Sequence, residues 1–184
     1  MKIISPLLLL FFFAFSSSSE KIRHDQHQAL TWEDFKGRPD RSSPYYASTA
    51  SGYEFEMEVK KDSLVIFLPC YFEKKDSWVK KGEGTPELLA HEQLHFDITE
   101  LHVRKMRKAF KELGTVSLKS INKVAEKIIK TYSKESSKRQ SVYDRETNHS
   151  IKVLEQKRWE EEIKEEMKGL AAFTNPLISL PIAK

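Results

Sequence analysis

The chain has a single cysteine, Cys70, in 184 residues, which excludes an internal disulfide. A domain of this kind must hold together by packing, with or without a metal ion. Cys70 itself reads as a small buried hydrophobe at a strand end. There is no internal repeat and no long basic stripe with aromatics between. Lys and Glu interleave along the chain and the formal charge is +4, so a nucleic-acid partner is not expected. Only one apolar run stands out, Ile3–Phe15, broken by Ser5 and Pro6. It follows Lys2 and precedes Ser16–Ser19, the order of a secretory signal peptide. It is too short and too poorly flanked to stop as a spanning helix. No cysteine follows it, which argues against a lipoprotein anchor. The expectation is a signal peptide over 1–19 and one domain over 20–184, secreted or periplasmic, with no stable membrane insertion after cleavage. About 165 residues then remain, enough for one core, and the loss of Lys2 lowers the formal charge by one.

Glu20–Gln28 is polar and reads as loose. Leu30–Gly37 (LTWEDFKG) suggests a short helical turn stopped by Gly37 and Pro39. Tyr53, Phe55, Met57 and Val59 alternate with charged residues, the pattern of a half-buried strand. Leu64–Phe72 (LVIFLPCYF) reads as its partner across a turn at Lys61-Asp62-Ser63, and Tyr45–Ser51 as a third strand. Glu73–Gly84 is a charged loop around Trp78. Thr85, Pro86 and Glu87 are an N-cap, an N1 proline and an early acid, so a helix starts there and runs to about Leu113 before Gly114. Ser117 starts a second helix with Leu118, Ile121, Ala125, Ile128 and Tyr132 on one stripe. Thr147 or Asn148 starts a third, with Ile151, Leu154, Ile163, Met167 and Leu170 inward. The tail, Phe173–Lys184, is apolar but not helical. A small sheet followed by three helices is an α+β arrangement.

The chemistry concentrates in HEQLHFDITELH, residues 91–102. On a helix, His91 and His95 lie about 40° apart and one turn apart in height, so two imidazoles can reach one metal ion, the logic of HExxH. Glu92 is badly placed as a ligand but well placed to touch a water on the metal. His102 is roughly 10 Å further along the axis and cannot share the ion. Asp97 and Glu100 point away. Leu94, Ile98 and Leu101 adjoin the histidines, so this face turns partly into the domain. Without a metal, buried imidazoles would need hydrogen-bond partners instead.

LTWEDFKG, LLAHEQLHFDITELHVRKMR, and YDRETNHS followed by Gln156 and Trp159 resemble a bacterial domain-of-unknown-function family, family 922, described as predicted secreted zinc-dependent proteases. The resemblance covers most of the chain after residue 19. It implies a zincin-like domain, a small sheet over the HExxH helix, with a further ligand supplied downstream. Ser150 stands where that pattern leads one to expect glycine, so the backbone there is expected to differ.

The expected function is an exported zinc-dependent metallopeptidase acting on a peptide or protein substrate, with Zn2+ held by His91, His95 and His149. Catalytic zinc takes three protein ligands plus water, and His24 and His27 lie in the segment read as loose. Glu146 is the runner-up third ligand, and an exposed histidine near a helix start is the plain reading of His149. Glu92 is the expected general base. Tyr143 is a candidate donor to the oxyanion, against the commoner role of tyrosine in packing. Tyr53–Val59 is a candidate substrate ledge. Lys74, Lys75, Lys80 and Lys81 could favour acidic substrates or be a solvated loop. Two other functions stay open: an envelope-associated binding protein with structural zinc, and a metal-free helical interaction module. The oligomeric state is not legible.

Overall fold

A computed structural model describes residues 20–26 and 29–183. The expected signal peptide and His27 lie outside the described residues. The elements are β1 (Lys21–Arg23), β2 (Ala47–Ser48), β3 (Ser51–Tyr53), β4 (Glu56–Lys60), β5 (Ser63–Phe67), β6 (Cys70–Glu73), β7 (Trp78–Val79), α1 (Pro86–Lys111), α2 (Ile121–Thr147), α3 (Val153–Gly169) and β8 (Leu177–Pro181). The class is α+β, with three helices and small antiparallel sheets ordered β1-β6-β3, β2-β7 and β4-β5-β8. Among the described residues no helix is long and apolar enough to cross a membrane.

The two long strands expected at 53–59 and 64–72 each divide in two. Pro69 has no N–H to give to a ladder, and Leu68 N–H turns to the Pro176 carbonyl at 2.9 Å instead. On one side of this break β5 pairs with β4; on the other β6 pairs with β3. The expected third strand at 45–51 likewise becomes β2, paired with β7 inside the charged loop, and β3. The N-terminal segment is not wholly loose, because Lys21–Arg23 pairs with β6. The tail supplies β8, whose Ile178 and Leu180 turn inward against β5 while Leu177 and Ser179 face out.

Thr85 caps α1, its hydroxyl accepting from Leu88 N–H at 3.2 Å, with Pro86 following. The helix is buried on two faces. Phe96, Val103, Met106 and Phe110 pack on the sheets, whereas Leu94, Ile98 and Leu101 meet Tyr143, Trp159 and Ile163 of the other helices. Between these faces Glu100 pairs with Arg107, and Arg107 also donates to the carbonyls of Leu68, Phe173 and Thr174. That network clamps the chain leading into β8 onto α1.

The helix boundaries after α1 differ from expectation. Residues 117–120 form a turn, so α2 begins at Ile121. It then runs through YDRET to Thr147 and ends on Asn148 at φ 48°, followed by His149 at 52° and Ser150 at 76°. Three successive left-handed residues turn the chain without a glycine. The third helix starts at Val153, not at 147 or 148, so Ile151 and Leu154 lie in or near the connection and are exposed at 71% and 82%. Leu118 is exposed for the same reason, since it precedes α2.

Candidate metal centre

α1 and α2 run antiparallel, bringing residue 91 opposite 144 and residue 95 opposite 140. His91 is 2% exposed, and its Nδ1 lies 3.2 Å from Gln156 Oε1 on α3. His95 Nδ1 lies 2.6 Å from Gln140 Oε1 on α2. Each amide is oriented by its own NH2 group: Gln140 donates to the His95 carbonyl and to Thr99 Oγ1, and Gln156 to Glu160. An amide oxygen only accepts, so both rings carry their proton on Nδ1. In the neutral imidazoles both Nε2 atoms are thereby left with lone pairs.

These lone pairs converge. His91 Nε2 and His95 Nε2 are 3.2 Å apart, and Asp144 Oδ1 lies 3.2 Å from the first and 3.0 Å from the second. Three acceptors this close repel unless positive charge joins them, either a proton on an imidazole or a metal ion. Asp144 Oδ1 is buried and finds no hydrogen-bond donor. In a tetrahedral zinc site with bonds of about 2.0–2.1 Å, neighbouring donors stand about 3.3 Å apart, so the spacing fits. His91, His95 and Asp144 could hold a metal ion.

The electrostatics agree. Burial alone raises the Asp144 carboxyl, but the two imidazoles overcome it and hold it well below the usual carboxylate range. Burial alone lowers His95, but Asp144 and then Glu92 lift it above the ordinary imidazole value. Glu92 is 4% exposed, and its Oε2 is a second buried oxygen without a partner. Two buried carboxylate oxygens without partners in one cleft call for positive charge there.

The other expected site residues are arranged around this group. His149 stands on the outer side of Asp144, its Nδ1 3.5 Å from Oδ1, with its ring 4.4 Å from that of Tyr45. Glu146, two residues beyond Asp144, points elsewhere on α2, and its carboxylate accepts from Arg158 at 2.6 Å and the Trp159 indole at 3.0 Å. Tyr143 is fully buried behind the site. Its ring stacks on His91 at 4.6 Å and its hydroxyl donates to Gln156 Oε1 at 2.7 Å, while burial pushes the phenol pKa up. It braces the imidazole and does not line the cleft. His24 is also ordered, on Asp97 at 2.9 Å, away from the metal group.

His91, Glu92, His95, Asp144 and His149 all face one cleft of about 1040 Å³. Residues 73–150 match a family model described as Bacterial protein of unknown function (DUF922). This segment belongs to DUF922. The DUF922 segment contains all five of those residues and ends before Gln156, which α3 supplies from outside it. No curated protein and no solved structure matches the chain.

Asp144 is the residue that reading the sequence overlooked. Its signal was available: Gln140 and Asp144 stand one turn apart on α2 just as His91 and His95 do on α1, so each helix offers a matched pair to the other.

Proposed function

We propose that this chain is an exported zinc-dependent metallopeptidase with a zincin-like site. The observation that carries the reading is the convergence of three ligand atoms, from His91, His95 and Asp144, in one open cleft with the buried, unpartnered Oε2 of Glu92. Zinc bound there would lower the pKa of a water towards neutrality and polarise a scissile carbonyl. Glu92 would take the proton from the attacking water and pass it to the leaving amine. Gln140 and Gln156 hold the two imidazoles in the ligating tautomer, and Tyr143 supports His91 from behind. Asp144 replaces His149 as the third ligand because its oxygen already lies at ligand spacing. His149 lies one step further out.

The substrate ledge moves as well. β4 pairs with β5, and Glu56–Lys60 do not line the cleft; the wall is formed by residues 44–53, whose end, β3, is an edge strand. Lys74 and Lys75 are held by Asp34 and Glu20, and Lys80 by the Ser43 carbonyl. None of them faces the cleft.

A structural zinc with no catalysis is the second reading, favoured by the nearness of His149, which as a fourth ligand would close the coordination. The test is metal analysis of the purified chain together with a broad peptide-cleavage screen. The proposal expects about one zinc per chain and cleavage that Glu92→Gln abolishes with metal retained. Zinc without any cleavage across the screen supports the structural reading.

A further inference from the structure

The cleft has two arms of different chemistry, with the metal group between them. Along α1 its floor runs from Leu88 to Met106, about 27 Å at 1.5 Å per residue. At the α1 N-terminal end the walls are Tyr45, Tyr46 and Ile151, exposed at 46%, 55% and 71%. Large apolar side chains this open, gathered at the mouth of a site, call for an apolar partner. At the other end the walls are hydroxyls: Ser51 and Thr99 in mutual contact at 2.7 Å, then Ser133, Ser136 and Ser137 from α2. Tyr53 Oη meets Ser133 Oγ at 2.7 Å, joining the two walls near the level of His102. From His95 to that level is about 10 Å, room for about three residues of extended chain.

Charge is distributed unevenly. Lys and Arg make up 31 of 184 residues, yet among the described residues none lines the cleft, whereas Glu73, Glu83, Glu92 and Asp144 do. Away from the metal group, an acidic chain would meet Glu73 and Glu83 and find no lysine or arginine in the lining to pair with.

We infer that the substrate is an extended polypeptide lacking acidic residues near the scissile bond. An apolar or aromatic side chain would seat on the Tyr45–Tyr46–Ile151 rim, and about three small uncharged residues would lie in the hydroxyl-walled arm. This rests on the metallopeptidase reading and adds its substrate class. The rim covers apolar surface on both partners, and the arm offers donors and acceptors to side chains such as serine and threonine.

Calorimetric titration of zinc-loaded Glu92→Gln protein tests it without turnover. The probes are a peptide of about eight alanine and serine residues with one central phenylalanine, the same peptide with phenylalanine replaced by alanine, and the same peptide with its serines replaced by aspartate. The expectation is that each replacement weakens binding about tenfold or more. Ile151→Asp should erase the preference for phenylalanine, and Ser136→Lys should recover binding of the aspartate peptide. Equal binding of all three peptides, tighter binding of the acidic one, or zinc-loaded protein that binds none of them overturns the inference while leaving the metal centre intact. Protein that takes up no zinc overturns the metallopeptidase reading, and the inference falls with it.

Discussion

Gln140 Oε1 lies 2.6 Å from His95 Nδ1, on the side of the ring opposite Asp144, whose Oδ1 is 3.0 Å from Nε2. One side chain of α2 thus fixes the proton of the imidazole while another, one turn on, completes the donor group. Gln140→Ala should lower zinc affinity by about ten- to a hundredfold while leaving the helical circular-dichroism signal unchanged. Competition against a chromogenic chelator reads this directly. Unaltered affinity would mean that the glutamine does not orient the ligand.

Asp144 and His149 make opposite predictions in the same assay. Asp144→Asn removes the charge and the anionic donor, so zinc affinity should fall as far as in His95→Ala. His149→Ala should lose less than about tenfold, because the three remaining donors already satisfy the usual count. The reverse ranking would return the third position to His149.

The metal-free protein should show a particular pH dependence. His95 is raised above 6.5 by Asp144 and Glu92 against the lowering effect of burial. A raised folded value contributes stability that is fully present below the unfolded pKa and lost as pH rises through the folded one. Apo stability, followed by urea denaturation in the presence of chelator, should therefore fall on going from mildly acidic to mildly alkaline pH. Added zinc should remove the decline, since it needs the deprotonated ligands. Apo stability that rises over that range would contradict the assigned pairing.

Ser150 at φ 76° occupies a conformation that L side chains adopt at a cost of about 1–2 kcal/mol. Ser150→Gly should relieve it and stabilise the fold by up to about 1 kcal/mol, the gain being offset by the greater freedom of unfolded glycine. Chemical denaturation measures this. Destabilisation would show that the serine side chain makes a compensating contribution.

Much of the site was legible because its signals are local. Thr85-Pro86 caps a helix wherever it lies, and HEQLH places two imidazoles on one face by helical geometry alone. LTWEDFKG marks the short turn at Trp32–Asp34 in the same way, with Leu30 and Phe35 buried on either side of it. The four-residue spacing of Gln140 and Asp144 is in the sequence, but it places them on one face only once α2 is known to extend through both. YDRETNHS contains no glycine or proline to mark where that helix stops; the break is made by Asn148, His149 and Ser150 in left-handed conformations. The division of the strands at Pro69 and the recruitment of Leu177–Pro181 as β8 depend on partners far along the chain. Periodicity cannot reveal such partners.

The central claim is that three donors hold a zinc beside a general base. Its most direct test is one preparation of the purified chain and its Glu92→Gln variant, assayed together for zinc by plasma emission and for cleavage of a mixed peptide library. The account predicts about one zinc per chain in both proteins, cleavage by the first, and a loss of several orders of magnitude in the second. Equal cleavage by both, or no zinc in either after incubation with the metal, would contradict it.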